Sequence, residues 1–228
     1  MEPPVSIVQL RSPSTVPAGL GTGFSAYAHY SRFTAGAVIA NSNENDPHYG
    51  IVVSGVVKSC LVTRTNRSYI TGLYFEGQLV QPPASSDHQF SYVDAATDAS
   101  LCSFSRETLV RMLAEHDWAR RALPNLVAAE ADSGRRWISL LGRRSVEEKL
   151  AGFFKLLSEF APSHADAAGN TISEIPLRRG QIAEFLGVTS ESVSRGVTAL
   201  RRAGVIRLHD MRNFEILKSE KLTELAGE

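Results

Sequence analysis

The stretch Ile182-Ala183-Glu184-Phe185-Leu186-Gly187-Val188-Thr189-Ser190-Glu191-Ser192-Val193-Ser194-Arg195 admits few folds. Ile182, Phe185 and Leu186 fall at i, i+3 and i+4, one face of a short helix. Gly187 supplies the permissive backbone of a tight turn. Thr189 offers a hydroxyl to cap a second helix, whose inward stripe is Val193, Val197 and Leu200. The opposite face carries Glu191, Ser194 and Arg195, side chains with the chemistry to meet base edges in a DNA major groove. The spacing therefore predicts a helix-turn-helix.

Bulk properties narrow the rest. The formal net charge is zero, so no global basic field announces nucleic acid. Between Thr171 and Asn213, however, seven Lys/Arg stand against four Asp/Glu, the sign that DNA binding needs. No apolar run reaches the length of a membrane span, and Met1-Glu2-Pro3-Pro4 lacks the basic and apolar regions of a signal peptide. The expectation is a cytoplasmic protein with no membrane contact. Two cysteines, Cys60 and Cys102, are too few for a disulfide scaffold or a cysteine-only metal site.

Texture changes along the chain. Residues 1–28 are rich in Pro, Ser, Gly and Thr without a sustained period and read as a loosely ordered arm. Then come β-type runs, Ile51-Val52-Val53, Val56-Val57, Cys60-Leu61-Val62 and Tyr69-Ile70-Thr71, punctuated by Ser54-Gly55, Thr65-Asn66 and Glu76-Gly77. Closely spaced strands without intervening helices predict an antiparallel roll or barrel. Gln81 to Ser86, with its paired prolines, reads as a loop. After Phe104 the period is helical. From about Pro124 to Gly142, Val127, Ala131, Gly134, Ile138 and Leu141 are spaced 4, 3, 4, 3, a seam like that of a short two-stranded coiled coil. Packing of that seam on its own domain is equally compatible with the spacing. Val146, Leu150, Phe153, Leu157 and Phe160 predict another amphipathic helix, and residues 161–170 a loop. Past Gly204, Val205–Leu208 and Phe214–Leu217 flank Asp210-Met211-Arg212-Asn213, the pattern of a β-hairpin wing.

A β-roll, a long central helix and a winged helix-turn-helix, in that order, resemble the CRP/FNR family of bacterial transcription regulators over about residues 30–217. Tyr30–Gly36 is similar to the family's opening strand and glycine turn, and Tyr49–Lys58 to its Y-x-I-x-x-G-x-V strand pair. Thr71–Gln78 resembles the strand ending in its Pro-Gly-Asp turn, with Glu76 and Gln78 in place of the outer two residues. Leu177–Ile206 is close to its DNA-binding signature, and Glu191-Ser192-Val193-Ser194-Arg195 has the Glu-x-x-Ser-Arg form of the FNR and FixK branches. The resemblance implies an α+β fold: a flexible arm (1–28), a jelly-roll-like antiparallel β-roll sensor domain (29–118), a dimerisation helix (119–143) and a winged helix-turn-helix domain (144–228). It implies a homodimer, paired through Val127, Ala131, Gly134, Ile138 and Leu141, that binds double-stranded DNA and, as an activator, RNA polymerase. Its recognition helices would lie about 34–36 Å apart.

The chemistry of the reading set supports this independently. Glu191 can accept from a cytosine amino group, Arg195 can bind guanine O6 and N7 bidentately, and Ser194 can touch a neighbouring base. Each good bidentate contact discriminates by about 1–3 kcal/mol, against about 0.2–0.5 kcal/mol if Glu191 and Arg195 are only an i, i+4 ion pair. The resemblance implies the half-site TTGAT, as TTGAT-N4-ATCAA. Arg178, Arg179, Thr189, Ser190, Ser192, Arg201 and Arg212 are candidates for the DNA backbone, with Arg202 and Arg207 also on the later helix and wing.

The expected sensor half lacks the usual ligands. A cyclic nucleotide in this family needs an arginine for its phosphate, yet Leu79–Ala95 holds no Arg or Lys, and Phe90-Ser91 stands where Arg-Ser would fall. An iron–sulfur cluster of the FNR kind needs cysteines in the arm, which has none. His29, His48, His88 and His116 leave haem as an alternative effector site. Cys60 and Cys102 sit in strand-like runs, where free cysteine behaves as a small buried hydrophobe. A cupin-type enzyme would need closely spaced metal ligands, and there is no His-x-His pair. The expectation is a non-enzymatic regulator without cofactor or metal, either effector-independent in the manner of FixK or answering to an unidentified ligand.

Overall fold

The computed structural model describes residues 27–43, 48–83 and 90–228. The expected arm up to residue 26, the loop positions 84–86 and His88 lie outside them. The chain divides into two compact units, one ending at Gly134 and the other running from Arg135 to Glu228.

Among the described residues, the first unit is an antiparallel roll of eight strands: β1 (His29–Phe33), β2 (Val38–Asn41), β3 (His48–Ser54), β4 (Val57–Val62), β5 (Ser68–Tyr74), β6 (Leu79–Val80), β7 (Phe90–Ala95) and β8 (Ala99–Ser105). They form two sheets, ordered β1-β8-β3-β6 and β2-β7-β4-β5. Val52, Val80, Ala99 and Leu101 from one sheet meet Val57, Val93 and Ala95 from the other in a shared core. The predicted turns fall where glycine is required. Gly55 sits at φ +78°, and a Cβ there would lie 2.1 Å from the Asp98 carbonyl oxygen. In the turn at Gly77, the Gln78 side-chain carbonyl accepts from the Phe75 N–H at 2.9 Å and closes the turn.

The first sheet turns Ile51, Cys102 and Phe104 outward, onto α1 (Arg106–Glu115) and the start of α2 (Asp117–Leu141). Ser105 caps α1 by accepting from the Thr108 N–H. Ala119, Leu123 and Leu126 carry α2 onto this cluster at i, i+4 and i+7. Pro124 stands inside α2, where it removes the N–H that would bond the Arg120 carbonyl.

The second unit holds α3 (Val146–Phe160), β9 (Ser163–Ala165), β10 (Thr171–Glu174), α4 (Arg179–Leu186), α5 (Ser190–Arg202), β11 (Ile206–Leu208), β12 (Asn213–Ile216) and α6 (Ser219–Leu225). Its sheet is ordered β11-β12-β10-β9, so the predicted wing hairpin is half of a four-stranded sheet. Residues 161–170, expected as a loop, instead contain β9 and a turn in which Asp166 accepts from the Ala168 and Asn170 N–H groups. The reason is legible afterwards: Ser163, His164 and Ala165 are all exposed at a sheet edge and carry no apolar alternation. α3 buries Leu150, Phe153, Phe154 and Leu157. Edge-to-face contacts run from Trp137 to Phe185 (5.1 Å between centroids), Phe185 to Phe153 (6.1 Å) and Phe154 to Phe214 (5.0 Å). They tie α2, α4 and the wing to α3. α5 crosses α3 at Gly196, where a Cβ would lie 2.4 Å from Leu150 Cδ1.

Leu150 is wholly buried and has nowhere to retreat. Gly196→Val is therefore expected to cost about 1–3 kcal/mol by overpacking, seen as a lower urea midpoint for the C-terminal unit. An unchanged midpoint would show that the crossing tolerates a side chain.

Candidate nucleic-acid interface

The candidate reading surface is assembled by three local devices. Gln181 Oε1 accepts from the Arg178 N–H at 3.0 Å and fixes the start of α4. Gly187 ends it in the left-handed region (φ +64°, ψ +39°), and the Val188 N–H turns back to the Ala183 carbonyl at 2.9 Å. Thr189 Oγ1 then accepts from the Ser192 N–H at 3.1 Å and starts α5. Val193, Val197 and Leu200 bury the back of α5, which leaves Glu191, Ser194 and Arg195 facing solvent together.

Glu191 and Arg195 form an ion pair at 3.3 Å, with side chains 76% and 73% exposed. A pair so exposed is worth only a few tenths of a kcal/mol. It orders the two side chains without committing them. The Ser194 hydroxyl donates to the Ser190 carbonyl at 3.0 Å, and Thr198 Oγ1 donates to the Ser194 carbonyl at 2.8 Å, so their lone pairs remain available. Glu191, Ser194, Arg195, Thr198, Arg201 and Arg202 lie along one helical stripe.

The structure sorts the backbone candidates into different settings. The Thr189 and Ser192 hydroxyls bond each other at 2.9 Å within the cap, while Ser190 and Arg178 are exposed. Arg179 is half-buried, and its Nη1 is buried with no acceptor among the described residues. Burial and the neighbouring Arg201 guanidinium hold Arg179 below its ordinary pKa. Arg212 sits at the wing tip, in a turn built on Asp210, whose carboxylate accepts from the Arg212 and Asn213 N–H groups at 2.6 and 2.8 Å. Beside it Met211 is 86% exposed. At the root of the wing, buried Glu215 accepts from Arg207 at 2.8 Å and lies 3.2 Å from His209 Nε2.

Between the C-terminal end of α5 and β11 lies a cleft of about 490 Å³, lined by Thr198, Arg201, Arg202, Ile206, Arg207, Leu208 and Leu217. The sequence places these arginines on helix and wing but does not show that they converge. The fold of the hairpin brings them together.

On α2, the roll-facing positions are Ala119, Leu123 and Leu126, and the seam lies on a different side. Val127, Ile138 and Leu141 are 43%, 71% and 40% exposed, Ala131 is exposed, and Gly134 has open space where a Cβ would stand.

Of the roll's candidate effector groups, His116 and the two cysteines have local partners. His116 Nε2 meets the Tyr27 hydroxyl at 2.8 Å and its ring stacks on Trp118. Cys60 and Cys102 are each 2% exposed. Burial pushes both thiols up, Cys102 to about 11. Lys58, which bonds both oxygens of Asp94, also reaches Cys60 Sγ at 3.5 Å, a neighbour the sequence does not reveal.

Comparison with known proteins bears on these features. Residues 148–225 match the Crp-like helix-turn-helix domain. A Rhizobium leguminosarum bv. viciae protein named "Probable transcriptional activator" is 35% identical over 85% of this chain and 80% of its own length. The transcriptional activator protein FnrL of Cereibacter sphaeroides is 29% identical over 88% of this chain and 81% of its own. The structure of FixK2 from Bradyrhizobium japonicum has the same fold, with a TM-score of 0.72 over 87% of this chain and 96% of that one, at 23% identity.

With Cys102 raised to about 11, about one thiol in a thousand is ionised at pH 8. Native protein is expected to release negligible colour from a disulfide reagent at that pH, and both thiols to react once it is unfolded. Fast reaction of either cysteine in the native state would point to a thiol-based signal.

Proposed function

We propose, from the premise that the chain belongs to the CRP/FNR family of transcription regulators and carries its helix-turn-helix DNA-binding domain, that two copies pair and read an FNR-type inverted repeat. The observation that carries this reading is the α5 stripe: Glu191, Ser194 and Arg195 stand together on the exposed face of a capped helix whose back is buried. Arg195 is the bidentate reader of a guanine, Glu191 accepts from a cytosine amino group, and Ser194 meets the base between. Arg178, Arg179, Ser190, Arg201 and Arg212 serve the phosphates, with Thr189 and Ser192 at the helix start. Arg179 supports that assignment most directly, because a half-buried cation beside a second cation, its Nη1 buried without an acceptor among the described residues, is suited to an anion.

The unspent face of α2 supports pairing. The helix already packs on its own unit through Ala119, Leu123 and Leu126, so that packing does not account for exposed Val127, Ile138 and Leu141. Ala131 and Gly134 between them allow a second helix to come close. An inverted repeat needs a two-fold axis, and this seam supplies one.

We assign no cyclic nucleotide to the roll, since Leu79–Ala95 offers no cation for its phosphate. The reading is a FixK-like regulator, controlled by its abundance or by a ligand of another class. The relatives named as transcriptional activators support activation, hence RNA polymerase as a partner, in the cytoplasm where the DNA is.

The direct test is a duplex carrying TTGAT-N4-ATCAA. Binding is expected to exceed that to a scrambled duplex, and Arg195→Ala to weaken it by about 1–3 kcal/mol per lost bidentate contact while flattening preference at the guanine. Equal binding of both duplexes at moderate salt sinks the base-reading assignment. Separately, Ile138→Asp should convert a dimer to a monomer in sedimentation and abolish tight binding to the repeat. A variant that sediments as the wild type would place the interface elsewhere.

A further inference from the structure

We infer that Glu228 is a positioning residue for DNA binding: its carboxylate, shared by Arg143 and Lys155, fixes the angle at which α3 leaves α2. The inference rests on the pairing through α2 proposed above, and it names what holds two reading helices at the spacing of a repeat.

α2 ends at Leu141 and α3 begins at Val146, so Gly142, Arg143, Arg144 and Ser145 join them within the second unit. The Gly142 N–H bonds the Ile138 carbonyl at 3.0 Å and ends one helix. Ser145 Oγ accepts from the Glu148 N–H, and Glu148 Oε2 from the Arg144 N–H, both at 3.0 Å, and these start the next. Leu140 is wholly buried against Gly152, where a Cβ would lie 2.7 Å from Leu140 Cδ1, but apolar contact has no preferred direction. Arg136 and Glu159 also link α2 to α3, at 3.5 Å between side chains 53% and 41% exposed, too open a pair to hold an angle.

Arg143 supplies the directional tie. Its guanidinium lies so close over Gly152 that a Cβ there would stand 2.2 Å from Nη1. Nη1 donates to the Glu148 carbonyl at 3.3 Å and Nη2 to Glu228 Oε1 at 2.5 Å, while Glu228 Oε2 accepts from Lys155. Glu148, Gly152 and Lys155 are spaced 4 and 3, so one face of α3 forms the seat. The Arg143 and Lys155 side chains are only 14% and 25% exposed, so two shielded cations share one carboxylate. Without it they would face each other with little water to screen them. Bonds from Lys155 and Arg143 hold the Glu228 carboxyl below its ordinary pKa, which keeps it ionised at neutral pH. Gly227 aims it: at φ +77° this residue lets the Glu228 N–H return to the Thr223 carbonyl at 3.2 Å, closing α6.

The angle matters because α3 is a lever. Its 15 residues make a rod about 22 Å long, at about 1.5 Å per residue. A swing of about 10° at its root moves its far end by about 4 Å, close to the roughly 3.4 Å step between base pairs. Two copies would each bring that error to the repeat.

The test compares the wild type with Glu228→Gln and Arg143→Gln, as full chains, on duplexes with three, four or five base pairs between TTGAT and ATCAA. The wild type should prefer four by about tenfold or more, and each variant should flatten that preference to within about threefold. The double variant should be no flatter than either single one, because all remove the same tie. Ratios between duplexes do not depend on the folded fraction of a preparation, so a lower urea midpoint does not blur the result. An unchanged spacer profile overturns the inference, even if affinity falls equally on every duplex. If the wild type has no spacer preference and sediments as a monomer, the pairing reading fails. Spin labels on Ser139→Cys and Thr171→Cys, both exposed positions, then decide the tie. Glu228→Gln should broaden the distance between them, and an unchanged distribution overturns the inference.

Discussion

A row of aromatic rings holds the DNA-binding unit together. Trp137 meets Phe185, Phe185 meets Phe153, Phe153 lies against Phe154 at 6.0 Å, and Phe154 meets Phe214. Edge-to-face pairs add about 0.5–1.5 kcal/mol each beyond the area they bury. More important is their direction. The row passes from the long helix through the first helix of the helix-turn-helix and the body of α3 to the second strand of the wing. The first helix and the wing are thus both set against α3, and α5 joins them through the close crossing at Gly196 and Leu150.

The roll obeys the same logic with different chemistry. Its two sheets close over Val52, Val57, Val93 and Leu101, and its buried ion pair, Lys58 with Asp94, joins β4 to β7. Burial pulls the Lys58 ammonium down, but the hydrogen bonds it donates to Asp94 and the negative charge there more than offset it and leave the group above its ordinary pKa. Such a pair is costly to break, because the surviving charge would be left in the sheet alone.

Much of this was legible in the order of residues, and the rest was hidden for definite reasons. Gly187 and Thr189 announced the turn and the cap because left-handed backbone and an orphan N–H each favour a narrow set of residues. Gly55 and Gly77 punctuated the roll in the same way. The strand Ser163–Ala165 was invisible, since an exposed edge strand needs no apolar alternation and its partner, β10, is supplied by tertiary pairing. The start of α2 was obscured by Pro124, which ordinarily marks the first turn of a helix and here stands inside one. Spacing could show a seam on α2 but not whether its own unit used it. That depended on which neighbouring face, Ala119, Leu123 and Leu126, the roll had taken. Convergence of Arg201, Arg202 and Arg207 likewise required the hairpin to fold back beside the helix.

Glu191 and Arg195 lie 3.3 Å apart with both side chains mostly in solvent. Off DNA each neutralises the other at a strength of a few tenths of a kcal/mol, so the face of α5 carries no net charge from this pair. In the role proposed for them, both side chains are given up to a new partner at almost no cost, and what the free helix stores is their placement rather than energy.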